Sequence, residues 1–266
     1  MKKLTMATIL LASLTNLMGC ANSNKENNAN SQRAAYLKDS PTPYSVSDAE
    51  RTKSVDELVI LRRKMFALEG KLIAPAQEDL DQYADFLKEP NTGIARLFPR
   101  DAGNERRPLL VNGEGAYYQF LAQSNEYGRG SDIEYSTQNS PEFSVGFAGA
   151  DFGFFGQVGK FDIRQLNDRD PVVAFAMSYP SPSGQSEPFW RSEQRKWSSG
   201  IVNGAVTFSD RTQAVVGMSY VVRSVSERGY EVVVIFQVVR RDPTDASLIL
   251  AWKLLKQLDK PVVGRN

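Results

Sequence analysis

The fold is decided by two runs rich in β-branched residues, Gln213-Ala-Val-Val-Gly-Met-Ser-Tyr-Val-Val-Arg-Ser-Val225 and Tyr230-Glu-Val-Val-Val-Ile-Phe-Gln-Val-Val-Arg-Arg241. Ser226-Glu-Arg-Gly229 joins them and predicts a hairpin, because glycine suits the turns of such connections. Apolar side chains of the second run fall on both faces, Val232, Val234, Phe236 and Val238 on one and Val233, Ile235 and Val239 on the other. A strand with one wet face would alternate apolar and polar residues, so the hairpin is predicted to be central and covered on both faces.

The segment after the hairpin continues this arrangement. Asp242-Pro-Thr-Asp245 predicts a turn into Ser247–Leu258, whose apolar spacing fits either a strand or a helix. We favour the strand, because a third antiparallel run extends the hairpin into a meander.

The N-terminal part of the domain has helical spacing. Ser54-Val-Asp-Glu57 fits a capping box and predicts the start of a helix that ends at Gly70. A second helix is predicted over 76–88, because Glu89-Pro90 stops it, and a short turn is predicted over 92–98. The two helices are expected to cover one face of the sheet.

From about Leu109 the chain is predicted to be mainly β, since glycines separate short aromatic and β-branched runs. The short strands are expected at 109–111, 116–122, 131–136 and 142–148. An unbroken apolar run follows at 171–179, and a loop rich in proline and serine at 180–188. The predicted fold class is α+β, with N-terminal helices packed on an antiparallel sheet and a C-terminal β-meander.

The first twenty residues carry a separate signal. Met1-Lys2-Lys3 is followed by an apolar run over 4–17 and then by Leu17-Met18-Gly19-Cys20, which holds the only cysteine. This pattern resembles the signal peptide of bacterial lipoproteins, whose lipobox ends in Gly-Cys. The resemblance implies export, diacylglycerol on Cys20, cleavage after Gly19 and lipid anchoring in the cell envelope.

Two other interpretations of this segment remain open, an ordinary signal peptide and a simple N-terminal anchor. A permanent membrane helix is disfavoured, because spanning takes about 20 apolar residues and this run is shorter and contains Thr and Ser. Ala21 is not the Asp that retains many lipoproteins in the inner membrane, so the resemblance favours the outer membrane if the organism has one.

These signals divide the chain into three parts. Residues 1–19 are predicted to be the signal peptide, and residues 20–45 the lipidated cysteine followed by a disordered tether. The tether is rich in Asn and Ser, and so few apolar side chains cannot offset the entropy of ordering. Residues 46–266 are predicted to form a single α+β domain.

Composition excludes several functional classes. The net charge is +1, and removal of residues 1–19, with Lys2 and Lys3 and no acidic residue, leaves −1. Such a chain lacks the basic surface that nucleic-acid binding requires. The absence of histidine excludes Ser-His-Asp catalysis and nearly all zinc, copper and haem sites. No cofactor is predicted, and a metal would have to be a hard cation with oxygen ligands.

Aromatic residues concentrate between Tyr117 and Phe161, interleaved with glycines. One interpretation is a flat platform for a sugar ring, a lipid or an apolar peptide. The other is a core strand with a bulge, in which the glycines allow tight backbone bends.

Seven residues are candidates for ligand binding. A polar loop holds Tyr127, Arg129, Asp132 and Glu134, and Asp151 follows in the glycine-rich stretch. Trp190 and Trp197 stand among Arg and Lys, a mixture that suits an anionic polymer or a lipid headgroup. The alternatives are an exposed ion pair for the loop, and tryptophans that plug the edge of the sheet.

The function expected from these features is a membrane-anchored envelope lipoprotein that binds an envelope protein, glycan or lipid without catalysis, or has an assembly role. The Gly-x-Ser-x-Gly and Ser-x-x-Lys motifs of acyl enzymes are absent. A carboxylate-based hydrolase of envelope glycan remains the alternative, because its acid pair needs no sequence motif. Asp132, Glu134 and Asp151 are the first candidates for such a pair.

Overall fold

The structure is a computed structural model, and it describes residues 46–100, 115–125, 130–146, 152–226 and 230–259. Cys20, the tether and the strand predicted at 109–111 lie outside these residues, as do Tyr127, Arg129 and Asp151. The chain divides into two compact units, one ending at Leu61 and one beginning at Arg62. The boundary falls inside the helix Asp48–Ile73, and every other described helix and strand belongs to the second unit.

Among the described residues, two helices come first along the chain, followed by five strands, two more helices and six more strands. The helices are α1 (Asp48–Ile73), α2 (Gln77–Gln82), α3 (Pro171–Ser178) and α4 (Glu187–Ser199), with short 3₁₀ turns at Phe86–Lys88 and Ile163–Gln165. The strands are β1 (Thr92–Leu97), β2 (Tyr117–Tyr118), β3 (Ile133–Ser136), β4 (Glu142–Ser144), β5 (Phe152–Gly159), β6 (Ile201–Asn203), β7 (Val206–Phe208), β8 (Arg211–Gln213), β9 (Ser219–Val225), β10 (Glu231–Arg241) and β11 (Leu248–Leu258).

The main sheet is antiparallel and has the strand order β1-β11-β10-β9-β5. A second sheet has the order β2-β3-β4-β8, and β6 pairs with β7. The predicted hairpin is therefore β9–β10, the segment at 248–258 is the predicted third strand of the meander, and the α+β class is confirmed.

The hairpin is covered on both faces, as its two apolar faces predict. Val232, Val234 and Phe236 pack toward the second sheet, in a core that includes Tyr135 and Phe143. The opposite face of β10 packs against α3, α4 and the turn that follows α2, and the residues of this helix-side core include Val233, Ile235, Tyr83, Phe86, Val173, Trp190 and Trp197. Of the two predicted N-terminal helices, only the second segment contributes to this cover, because α1 buries no residue.

The start of α1 differs from the predicted one. Ser47 Oγ accepts a hydrogen bond from the Glu50 amide at 3.3 Å, and Glu50 Oε2 accepts one from the Ser47 amide at 2.9 Å. This capping box uses the same Ser-x-x-Glu pattern seven residues before the predicted one, so Ser54 lies inside the helix. The helix also continues through Gly70 and ends at Ile73, two residues before Pro75.

Two further segments differ from their predictions. The turn predicted at 92–98 is strand β1, and the helix predicted at 76–88 is divided between α2 and a 3₁₀ turn. Strand β1 alternates buried and half-buried residues, but two of the buried ones are Gly93 and Ala95. A Cβ atom on Gly93 would lie 2.4 Å from the indole of Trp252, so this position of the strand requires glycine.

The apolar run at 171–179 forms a helix instead of extending the β region. Asp170 caps it, because its carboxylate accepts hydrogen bonds from the amides of Val172 at 2.9 Å and Val173 at 3.4 Å. Pro171 occupies the first turn, where its missing N–H has no cost.

Candidate functional site

Asp132 and Glu134 flank the first residue of β3, and both are almost fully buried. Asp132 Oδ2 accepts a hydrogen bond from the Phe120 amide at 2.9 Å and lies 3.3 Å from the hydroxyl of Tyr230. These contacts tie β3 to the segment after β2 and to the start of β10. The carboxylate of Asp132 therefore has a structural role in joining three segments.

Glu134 forms an ion pair with Arg100, with 2.9 Å between Oε1 and Nη1. Burial raises the pKa of the Glu134 carboxyl above its ordinary value, and the Arg100 guanidinium opposes this rise. A carboxyl with a raised pKa is what a general acid needs, but this one is also held by a cation. The exposed ion pair considered for the polar loop would use Arg129, which lies outside the described residues, and the pair observed here joins the buried Glu134 to Arg100.

Trp190 and Trp197 lie on the buried face of α4, with exposed fractions of 4% and 0%. Trp197 stacks on Phe154 with 3.9 Å between ring centroids, and Trp190 meets Phe152 edge to face at 5.4 Å. This burial favours the interpretation in which the tryptophans plug the sheet, and the basic residues of α4 lie outside the core. Strand β5, which carries these phenylalanines, is likewise a buried core strand with a bulge near Gly159.

A cleft of about 390 Å³ lies in the second unit, beside strand β1. Phe66, Ile73, Ile94 and Tyr118 are among its apolar lining residues. The volume lies within the range of small-molecule sites, about 300–1,000 Å³.

The polar groups of the cleft are mostly engaged. Asn125 Nδ2 donates to the carbonyl of Arg96 at 3.0 Å, and the guanidinium of Arg96 lies 2.9 Å from Asp245 Oδ2. Glu69 Oε1 is enclosed and has no hydrogen-bond partner. The cleft therefore combines an apolar lining with one unpaired acceptor.

The most unusual surface of the described residues is the apolar surface of α1. The helix has 26 residues and buries none of them, and nine of its large apolar side chains are 41–64% exposed. We call these nine the α1 apolar surface: Val55, Leu58, Val59, Ile60, Leu61, Met65, Phe66, Leu68 and Leu72. Scattered exposed apolar residues are ordinary, but a contiguous set marks a surface for interaction.

The sequence indicated the helix but not its exposure. The apolar spacing of α1 is typical of a helix that covers a sheet, and the sequence predicts that role for it. One signal of a different role is that Val59, Ile60 and Leu61 are consecutive, so apolar residues point in more directions than one buried stripe requires.

The described residues contain neither a metal-binding cluster nor a helix that could span a membrane. Across the described ranges, no group of three or more His, Cys, Asp or Glu side chains is placed to hold a metal ion. No helix within them combines the length and apolar character that crossing a membrane requires. Comparison with protein-family models, with curated proteins and with solved structures finds no match to this chain.

Proposed function

We propose that the chain is an envelope lipoprotein, anchored through Cys20, that acts without catalysis as a binding or assembly module. The observation that carries the proposal is the α1 apolar surface, which leaves nine large side chains in water. Burial of apolar area is favourable by about 25 cal/mol per Å², so a partner that covers this surface gains free energy from doing so.

The anchor and the location rest on the N-terminal resemblance. Gly19-Cys20 after a short apolar run supports lipidation, and Ala21 favours the outer membrane if the organism has one. The partners proposed are an envelope protein or glycan, and the near-neutral charge argues against nucleic acid.

The engagement of the candidate acids supports a non-catalytic role. Asp132 receives a backbone amide and Glu134 an arginine, so both carboxylates hold the fold together. Removal of either carboxylate would leave its buried hydrogen-bond partner unpaired and would destabilise the fold.

Site-specific photo-cross-linking in intact cells tests the binding role. A photoreactive residue in place of Leu61 is compared with one in place of Val202, which is 73% exposed on β6 and serves as the matched control. The proposal predicts cross-linked products at position 61 at several times the yield at position 202. Equal yields at the two positions, or none at 61, would contradict it.

A carboxylate-based hydrolase of envelope glycan is the second candidate, and the raised pKa of Glu134 is the observation that favours it. The variants Asp132→Asn and Glu134→Gln are to be assayed for turnover of isolated envelope glycan, with circular dichroism to confirm folding. Folded variants with unchanged turnover would remove this candidate, and a loss confined to Glu134→Gln would support it.

A further inference from the structure

We propose that the partner of α1 is a second copy of this chain, and that the two helices form a parallel two-stranded coiled coil. This inference deepens the proposed function and rests on it for the orientation of the anchored chains. It names the partner that the α1 apolar surface binds.

The spacing within α1 is the first argument. Leu58, Leu61, Met65, Leu68 and Leu72 follow one another at intervals of three, four, three and four residues, which places them at the a and d positions of a heptad. All five are 48–60% exposed. We call this row the α1 seam; a helix that carries one presents a continuous apolar line to a partner helix.

The α1 seam adjoins the face of the helix that lines the cleft but shares no residue with it. Phe66, Glu69, Gly70 and Ile73 line the cleft, and no seam residue does. The seam residues are therefore distinct from those that line the cleft.

The charges beside the seam indicate the orientation. Glu57 and Lys64 occupy g positions, and Arg62 and Glu69 occupy the e positions five residues after them. In a parallel pair, g of one helix faces the following e of the other, so Glu57 meets Arg62 and Lys64 meets Glu69. Both pairings join opposite charges, on each side of the coiled coil.

An antiparallel pair is less compatible with these charges. The antiparallel register that keeps Leu58 opposite Leu68 and Leu61 opposite Met65 brings g against g and e against e. It then places Lys64 near Lys64 and Arg62 near Arg62 of the second copy, and these like charges repel.

The proposed anchor also favours parallel helices. Two copies held by Cys20 in one membrane have their helix N-terminal ends on the same side. Anchoring in a shared surface raises their effective concentration, which matters because the seam extends over little more than two heptads.

Disulfide trapping in membranes that hold the full-length protein tests the pairing. Leu61→Cys is at a d position, which faces itself in a parallel pair, and Arg63→Cys is at the outward f position of the same turn as a matched control. On mild oxidation we expect at least ten times more dimer from Leu61→Cys than from Arg63→Cys. Equal yields, or a product whose mass identifies a different protein, would overturn the proposal.

Charge exchange gives a second readout. Glu57→Lys in the Leu61→Cys background places a lysine against Arg62 and should lower the dimer yield several-fold, and Glu57→Lys with Arg62→Glu should restore it. A yield that does not respond to either change would overturn the parallel register. Cross-linking between Leu61→Cys and Met65→Cys chains, without self-cross-linking of either, would establish the antiparallel pair instead.

The chain without an introduced cysteine, in which Cys20 is the only one, is the control that tests lipid anchoring separately from the pairing of the helices. A disulfide dimer of that chain means that Cys20 is a bare thiol, which contradicts lipidation and leaves the pairing to be judged by the charge exchange. A lipidated Cys20 without dimer from Leu61→Cys contradicts the pairing alone.

Discussion

Arg223 and Glu231 form a fully buried ion pair near the turn end of the β9–β10 hairpin, and its disruption should be strongly destabilising. Both side chains are 0% exposed. Arg223 Nε lies 2.7 Å from Glu231 Oε1, Nη2 bonds the same oxygen, and Nη1 donates to the carbonyl of Ala176 at 2.6 Å. Glu231 Oε2 accepts a hydrogen bond from Ser181 at 2.8 Å. The pair therefore joins β9 and β10 to α3 and the loop that follows it.

Arg223→Met should cost about 3–5 kcal/mol of unfolding free energy, because it leaves a buried carboxylate without its cation. That loss is a large part of the total of about 5–15 kcal/mol expected for a domain. Burial lowers the pKa of the Arg223 guanidinium and Glu231 opposes this change, so the two charges depend on each other. Glu231→Leu should cost a similar amount for the same reason.

The double variant Arg223→Met with Glu231→Leu isolates the coupling. It removes both charges together, so its cost should fall to about 1–3 kcal/mol, from the carbonyl of Ala176 and the hydroxyl of Ser181 that lose their partners. Urea denaturation followed by circular dichroism measures the three variants, with an unchanged m-value as the sign of an unchanged fold. Costs that add in the double variant, or a single variant that costs under about 1 kcal/mol, would refute the argument.

Alkaline pH and one glycine give the remaining predictions. Burial raises the pKa of Tyr118 and of Tyr220 to about 12, above the unfolded value of 10, so the unfolded state loses these protons first. The unfolding free energy should therefore fall between pH 10 and 12 by about 1.4 kcal/mol per pH unit for each of these tyrosines. The absorbance of tyrosinate measures the titration, and a folded protein in which every tyrosine titrates near pH 10 would contradict this prediction. Gly93→Ala should destabilise by about 1–3 kcal/mol, because its Cβ would meet Trp252 at 2.4 Å. Gly70→Ala is the control, because a Cβ atom there would have no other atom within 4 Å, and it should raise the unfolding free energy by about 0.5–1 kcal/mol. Equal changes in the thermal unfolding of the two variants would show that the contact with Trp252 does not cause the destabilisation.

The central hairpin could be predicted because its two apolar faces depend only on local sequence. Strand β10 is apolar at every position from Val232 to Phe236, and such an unbroken run is typical of a strand that is covered on both faces. The same reasoning was insufficient for 171–179, where an unbroken apolar run fits a buried strand and a buried helix equally well. Asp170-Pro171 was the available signal, since a cap and a first-turn proline distinguish the helix.

Strand β1 was missed because the residues it buries are small. Gly93 and Ala95 give little apolar signal, and Gly93 has no side chain because Trp252 of the neighbouring strand packs against it. Such a constraint comes from a residue far away in the chain, so no local pattern contains it. The β-pairing itself is what makes the segment a strand.

The sequence shows which residue types lie close together in the chain, but not whether their side chains are buried in the core or exposed for binding. Trp190 and Trp197 combine tryptophan with nearby basic residues, as an interface would, yet their helix turns both indoles into the core. The apolar residues of α1 have the spacing of a helix that covers a sheet, but their side chains are exposed. Whether an apolar side chain is covered depends on contacts between distant segments, which the spacing of one helix does not determine.

The state of Cys20 in the native protein tests the central claim most directly. Mass spectrometry of the mature N-terminal peptide, combined with labelled-palmitate incorporation into the wild-type chain and into a Cys20→Ser variant, measures it. The account predicts a peptide that begins at an acylated Cys20, with label in the wild-type chain and none in the variant. A peptide that begins at Met1, an unmodified thiol at Cys20, or equal label in the variant would contradict it.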